Sequence, residues 1–162
     1  MKTISNNLNA TLSIFLSSGL LLGAIFLELY LSLIPCDLCI KQRIVHVFIL
    51  ILSLLIFPLY TFSKLKLIML SILNLLWLVS SSLAFYHFGI EKKLWQGFLE
   101  CSSNLMFNEN TLDQLFSRNP IRCDETQFEL LNISLAGWNG ILSINIFIIL
   151  SYSLYKTYKE SK

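Results

Sequence analysis

The sequence predicts an all-α membrane protein: a four-helix transmembrane bundle with a long extracytoplasmic loop between helices 3 and 4. Two observations support this prediction. Hydrophobic residues make up 55% of the 162 residues and charged residues only 14%, whereas about 25% of residues in soluble domains are charged. The apolar residues also form four runs, each long enough to cross a hydrocarbon core of about 30 Å. We expect a single integral membrane domain over residues 1–162, in contact with the lipid bilayer.

The four predicted spans cover residues 12–34, 44–62, 65–88 and 136–155. The first span is longer than the apolar core of a signal peptide, which has about 7–15 residues, and no small-residue cleavage site follows it. We therefore expect it to be a retained helix. Pro58 lies near the end of the second span, where little helix follows it and a proline is tolerated.

The segment between the third and fourth spans, residues 89–135, is predicted to be the long polar loop. It contains Cys101 and Cys123. Asp124 is a suitable helix cap, and it predicts a short helix with Phe128, Leu130 and Leu131 turned toward the bilayer surface.

The distribution of charge predicts the orientation in the membrane. The loop over residues 89–135 has four basic and seven acidic residues, a net charge of −3. The side with both termini has six lysines, so the positive-inside rule places the termini in the cytoplasm. All four cysteines then lie on the outer, oxidising side. The total net charge of +2, without a basic cluster interleaved with aromatic residues, does not indicate nucleic-acid binding.

A Cys-x-x-Cys pair, Cys36 and Cys39, lies between the first two spans at the start of a helix. The partial positive charge of a helix N-terminus stabilises thiolates, the reactive form of cysteine. The spacing therefore predicts a redox-active pair. The alternatives are a structural disulfide, although so short a loop gains little from closure, and part of a zinc site.

The second pair, Cys101 and Cys123, is widely spaced. A structural staple is the usual role of a loop disulfide outside the cell. The spacing of the two cysteines does not by itself favour this role over a redox role. If the first pair is redox-active, the second becomes its natural partner in thiol–disulfide exchange.

Three polar residues near the dithiol are candidate ligand-binding groups. Arg43 lies one helical turn beyond Cys39, and this spacing favours a role in stabilising its thiolate or donating to a ligand oxygen over the common alternative of a snorkelling interface residue. Gln42 is a second candidate donor, or a polar residue at a helix start. His87, at the outer end of the third span, is either a structural residue or a part of the site.

Two further polar residues lie inside predicted spans. His46 is on the same helical stripe as Cys39 but deeper, where a packing role is expected. Glu28 is an intramembrane carboxylate, which is a functional hypothesis by default because burying it is costly. We expect Glu28 to be protonated or paired with a polar group such as Gln42.

Four stretches of the chain carry a resemblance to a known family. They are Pro35-Cys36-x-Leu38-Cys39-x-x-Gln42-Arg43, Tyr86-His87-x-Gly89-x-Glu91 followed by Trp95-x-Gly97 and Cys101, Arg122-Cys123-Asp124-Glu125, and Leu135-Ala136-Gly137-Trp138-Asn139. With this combination the chain resembles the disulfide bond formation protein B (DsbB) family, quinone-dependent oxidases of the bacterial inner membrane. Two positions depart from the family pattern: Phe98 follows Gly97 where many relatives have proline, and Glu28 stands where an amide is common.

The resemblance implies an electron route through the four cysteines. A reduced periplasmic oxidase of the DsbA type, with a thioredoxin fold, is expected to attack a disulfide between Cys101 and Cys123, with Cys101 taking the mixed disulfide. Electrons then pass to Cys36 and Cys39. All four cysteines are therefore expected to be catalytic.

The resemblance also implies a cofactor, a membrane quinone that is either ubiquinone or menaquinone. Cys39 is expected to reduce it, with Arg43 beside a quinone oxygen and His87 and Gln42 nearby as further binding residues. No resident metal is expected. The implied location is the bacterial inner membrane, with the cysteines in the periplasm.

Three other functions are compatible with the same residues. The four cysteines suit a soft-metal-binding membrane protein. The Cys-x-x-Cys pair is also shared with thiol oxidases of the vitamin K epoxide reductase type, which the loop and span-end motifs fit less well. A membrane scaffold with a stapled loop is the third.

Overall fold

The structure is a computed structural model that describes residues 2–56, 63–97 and 123–159. Within these ranges the chain forms four long helices, and each is long and apolar enough to cross a membrane. The helices are α1 (Lys2–Leu31), α2 (Asp37–Ile56), α3 (Ser63–Glu91) and α4 (Leu135–Lys159). This confirms the prediction of a helical protein with four helices able to span a membrane.

The helices pack as a bundle in which each is in contact with the next, and α4 returns to α1. The centre of the bundle is apolar and contains the fully buried side chains of Ile49, Leu73 and Trp77. Small polar residues accompany them, and the Trp77 indole Nε1 donates to Ser13 Oγ at 3.1 Å. Small hydroxyl side chains allow membrane helices to approach closely and to hydrogen-bond across their interface.

The helix α2 begins earlier than the predicted span, because its first turns contain polar residues that hydropathy does not assign to a span. The helix begins at Asp37, seven residues before the predicted run at residue 44. A carboxylate in the first turn interacts favourably with the helix dipole, and Asp37 also pairs with Lys41 at 2.6 Å. Hydropathy marks the membrane-crossing part of a helix, so it misses this polar first turn, which carries Cys39.

The predicted short helix after Asp124 is wrong. The chain instead forms turns and then a two-stranded antiparallel hairpin, with β1 (Glu129–Leu130) and β2 (Ile133–Ser134). The connecting residues Leu131 and Asn132 have φ values of 55° and 61°. Positive φ at both central residues is the geometry of a type I′ hairpin turn, which closes two-residue loops and excludes a helix here.

The hairpin leads directly into α4. Ser134 caps this helix, because the Gly137 N–H donates to its Oγ at 3.2 Å. The Trp138 indole Nε1 donates back to the Leu130 carbonyl at 3.0 Å and ties the hairpin to the helix. The rest of the predicted loop, residues 98–122 with Cys101, lies outside the described residues.

Candidate functional site: a buried dithiol beside a membrane-level cavity

Cys36 and Cys39 lie together at one end of the bundle, where the chain enters α2. Their sulfur atoms are 3.0 Å apart, and the backbone N–H of Cys39 donates to Cys36 Sγ at 3.3 Å. The Cys36 carbonyl accepts the Ile40 N–H at 3.1 Å, so Cys36 occupies the N-cap position immediately before α2. Both cysteines are free thiols in this structure, and Cys36 is only 4% exposed.

The two thiols are chemically unequal. The hydrogen bond to Cys39 and the burial of the side chain raise the pKa of Cys36 well above its ordinary value. The negative charge of Cys39 adds to this shift. Two interacting thiols titrate as a pair, and here the proton stays on Cys36. Cys39 is therefore the member of the reduced pair that is available as a thiolate nucleophile.

His87 packs against the dithiol from α3 and is almost fully buried. Its Nε2 lies 3.6 Å from Cys36 Sγ and 3.7 Å from Glu91 Oε1. Its Nδ1 lies 2.9 Å from Gln42 Nε2. An amide NH₂ only donates, so Nδ1 accepts and the proton of the neutral ring is on Nε2. The ring lies beside the Cys36 sulfur and also hydrogen-bonds the Cys123 backbone.

Arg43 pairs with a carboxylate from the neighbouring helix. Its Nη1 lies 2.5 Å from Glu28 Oε2 on α1, and the two side chains form an ion pair. Glu28 therefore has a polar partner, as expected, but this partner is Arg43 and not Gln42. Gln42 faces the bundle interior, where its NH₂ group donates to His87 and its oxygen accepts from Asn139.

A cavity of about 240 Å³ opens beside the dithiol. Its polar end is formed by Cys36, Cys39 and the Glu28–Arg43 pair, while its walls are largely apolar. On the α1 side it is lined by Gly19 and Gly23, where an added Cβ would meet nothing within 4 Å. A mostly apolar cleft with a few convergent polar groups is typical of small-molecule sites.

Cys123 reaches the same end of the bundle from the loop. It is 1% exposed and lies in one buried cluster with Cys36, Leu38 and Ile90. Three of the four predicted cysteines are thus close together, while Cys101 lies outside the described part of the chain.

Comparison with known proteins identifies the family. The family model of disulfide bond formation protein DsbB matches residues 6–153. The chain belongs to the DsbB family. An uncharacterized protein of Rickettsia prowazekii (strain Madrid E) is 28% identical over 126 residues, covering 75% of this chain and 72% of that protein. No solved structure matches the chain.

Membership of the DsbB family describes the chain as a membrane thiol oxidoreductase that forms disulfides, of a kind generally linked to quinones. The described helices agree with this, since four of them can span a membrane. The resemblance found in the sequence is thereby confirmed over nearly the whole chain.

Two polar residues at the site of this DsbB family member, Asn139 and Glu91, were part of the resemblance in sequence but had no predicted role. Asn139 of α4 donates from Nδ2 to Gln42 Oε1 at 2.7 Å. Glu91 lies one turn beyond His87 and accepts a hydrogen bond from the Ser134 hydroxyl. A signal was available for Asn139, because an amide inside an apolar span is costly unless it has a partner.

The donor atoms of Cys36, Cys39 and His87 lie within 4.8 Å of one another, which is compatible with three ligands of a soft metal. A ligating histidine must offer a lone pair to the metal and usually donates its other N–H to an acceptor. Here the Gln42 NH₂ donates to Nδ1, so Nε2 presents a proton to the sulfur. In this DsbB family member the arrangement therefore favours thiol chemistry over metal binding.

Proposed function

We propose that the protein is a thiol:quinone oxidoreductase. It reoxidises a DsbA-type dithiol oxidase and passes the electrons to ubiquinone or menaquinone in the bacterial inner membrane. The observation that carries this proposal is the position of the Cys36–Cys39 dithiol, with its sulfur atoms 3.0 Å apart, at the edge of an apolar cavity that also contains Arg43.

The first step is thiol–disulfide exchange with the partner. A partner thiolate attacks a Cys101–Cys123 disulfide and forms a mixed disulfide with Cys101, while Cys123 leaves with the electron pair. The burial of Cys123 in one cluster with Cys36 supports a second exchange, in which Cys123 attacks a Cys36–Cys39 disulfide. Each exchange forms one S–S bond and breaks one, so it needs no external oxidant.

The residues around the cavity fit a quinone. The apolar walls suit a ring and a lipid-soluble tail, and the Arg43 guanidinium supplies a donor for a carbonyl oxygen. When bound, the quinone supplies the two-electron oxidant that restores the Cys36–Cys39 disulfide. A strong oxidant is needed, because a DsbA-type partner has a reduction potential of about −120 mV.

The proposed orientation has the cysteine end of the bundle in the periplasm and both termini in the cytoplasm. The lysines near the termini and the net negative loop support it. The structure supports it further, since Cys36, Cys39 and Cys123 share one end of the bundle.

The direct test is anaerobic mixing of the purified protein with a reduced DsbA-type partner and a short-chain quinone, while the quinone absorbance is followed. We expect one quinone to be consumed per partner disulfide formed. Cys39→Ser should abolish the reaction in protein that is still inserted in the membrane. Normal turnover by this variant would overturn the scheme.

Arg43→Ala tests the assignment of the quinone end. We expect a raised KM for the quinone and an unchanged rate of exchange with the partner. Lys41→Ala is the matched control, because Lys41 is on the same helix but half-exposed and paired with Asp37. Stoichiometric zinc or copper in the purified protein, without quinone reduction, would instead favour the soft-metal function.

A further inference from the structure

A line of buried polar side chains runs through the bundle to the reactive dithiol. His46 Nε2 lies 2.9 Å from Asn139 Oδ1, Asn139 Nδ2 lies 2.7 Å from Gln42 Oε1, and Gln42 Nε2 lies 2.9 Å from His87 Nδ1. His87 Nε2 then lies 3.6 Å from Cys36 Sγ, and the ring also meets Glu91 Oε1 at 3.7 Å and the Cys123 backbone. The line crosses from α2 to α4, back to α2 and on to α3, and each of its five residues is less than 9% exposed.

The hydrogen bonds of this line have one direction. The NH₂ group of an amide donates and its oxygen accepts. Because Asn139 donates to the Gln42 oxygen, the Gln42 NH₂ is turned toward His87. The His46 Nε2–H donates to the Asn139 oxygen, which the Ser143 hydroxyl also contacts at 3.1 Å, and this fixes the orientation of the Asn139 amide.

We propose that Asn139 and Gln42 are positioning residues that set the tautomer of His87, so that its Nε2–H donates to the sulfur of Cys36. The proposal rests on the proposed thiol–disulfide chemistry. It adds a series of hydrogen bonds through which residues inside the bundle control the group that faces the reactive sulfur. Asn139 acts two residues away from the thiol, through Gln42 and His87.

The donor matters when Cys36 carries negative charge. When another thiolate attacks a disulfide that contains Cys36 and bonds to its partner sulfur, the old S–S bond breaks and Cys36 leaves with the electron pair. A hydrogen bond from Nε2–H to this sulfur stabilises the developing thiolate, as hydrogen bonds to charged groups do. The same N–H lowers the cost of forming the Cys36 thiolate when it is the attacking group.

Hydrogen bonds that ran in the opposite direction along this line would destabilise the Cys36 thiolate. If both amides were reversed, the Gln42 oxygen would face Nδ1, the ring proton would be on Nδ1, and a lone pair on Nε2 would face the sulfur. That lone pair repels a thiolate. The reactivity of Cys36 therefore depends on the orientation of two amides, one of which has no contact with the dithiol.

The tautomer is measurable by ¹⁵N NMR of histidine-labelled full-length protein in detergent micelles, without quinone or partner. We expect an unprotonated Nδ1 and a protonated Nε2 for His87 in the wild type. Gln42→Glu places a carboxylate against Nδ1 and should protonate it, and Asn139→Asp should do the same indirectly by rotating the Gln42 amide. Asn145→Asp is the matched control, because Asn145 bonds the Ile141 carbonyl of its own helix at an exposed position.

A chemical measurement accompanies the spectrum. In a background of Cys39→Ser, Cys101→Ser and Cys123→Ser, the rate at which Cys36 reacts with a small aromatic disulfide reports its reactivity. Asn139→Asp should slow this reaction by about tenfold, which corresponds to the loss of one hydrogen bond to a charged group. Asn145→Asp should leave the rate unchanged.

Two results would overturn the proposal. One is a wild-type His87 with its proton on Nδ1. The other is an Asn139→Asp variant in which Nδ1 of His87 stays unprotonated. This result would overturn the proposal even if Gln42→Glu protonates Nδ1, because Asn139 would then not control the tautomer of His87. Neither measurement uses quinone or the DsbA-type partner, so a failure of quinone reduction and a failure of this proposal are distinguishable.

Discussion

Arg43 and Glu28 form an ion pair across the α1–α2 interface, with 2.5 Å between Nη1 and Oε2. Both residues line the cavity beside the dithiol. The cation that we propose as the quinone donor is therefore already neutralised by a carboxylate from the neighbouring helix. A ligand oxygen must compete with this carboxylate for the guanidinium, or share it.

Glu28→Gln should strengthen quinone binding. The amide keeps an oxygen that accepts from Arg43 and holds its orientation, but it removes the negative charge. Loss of a partly exposed ion pair corresponds to at most about 1 kcal/mol. We therefore expect the KM for a short-chain quinone to fall by a few fold, at an unchanged rate of partner exchange, in steady-state assays.

Glu129→Gln is the control for the loss of one acidic charge, because Glu129 pairs with Lys92 at the hairpin and does not line the cavity. This variant should retain the wild-type KM. A KM that rises in Glu28→Gln would show instead that the carboxylate is needed to position Arg43.

The membrane spans and the reactive pair were predictable because their signals are local in sequence. A run of apolar residues predicts a span, and the Cys36–Cys39 spacing places two thiols on one helical turn. The partner of Glu28 was not predictable in this way. It depends on how α1 crosses α2, and that crossing selected Arg43 where the sequence had suggested Gln42.

The contact of Asn139 and the hairpin were missed for a similar reason. Asn139 meets Gln42 only because α4, which packs against α3 and α1, is rotated so that this side chain reaches across the bundle, and one sequence does not contain that rotation. The hairpin turn uses a positive φ at Leu131, a residue type that rarely adopts it. Asp124 looked like a helix cap, but the turn and the Ser134 cap of α4 determine the local structure.

Gly23→Leu should block the cavity without disturbing the bundle. A Cβ at Gly23 would meet nothing within 4 Å, and the residue lines the cavity, so a leucine side chain has room to extend into it. We expect the quinone KM to rise at least tenfold while the protein exchanges disulfides with its partner at the wild-type rate. Steady-state quinone assays and anaerobic partner exchange measure the two effects separately.

Leu22→Phe is the matched control on α1. Leu22 is 67% exposed and faces away from the cavity, so the added bulk lies in the lipid or detergent. This variant should keep the wild-type KM. An unchanged KM in Gly23→Leu would show that the quinone binds elsewhere.

Cys39→Ala should make Cys36 more reactive. The hydrogen bond to Cys39 is the largest cause of the raised pKa of Cys36, followed by burial. Removing Cys39 therefore lowers the pKa of Cys36 toward its ordinary value, while burial keeps it above that value. At pH 8, which lies below the raised pKa, the thiolate fraction increases, and each unit of pKa change is about tenfold in thiolate.

The measurement is the rate of Cys36 alkylation by iodoacetamide against pH, in reduced protein that also carries Cys101→Ser and Cys123→Ser, with peptide mass spectrometry to assign the site. The profile of Cys39→Ala should move to lower pH. Leu38→Ala controls for access, because Leu38 lies in the buried cluster with Cys36 and its truncation opens space there while Cys39 is retained. Its profile should keep the original midpoint. If Cys39→Ala raises only the plateau rate and leaves the midpoint in place, then limited access of the reagent, and not the hydrogen bond to Cys39, is what slows the alkylation of Cys36.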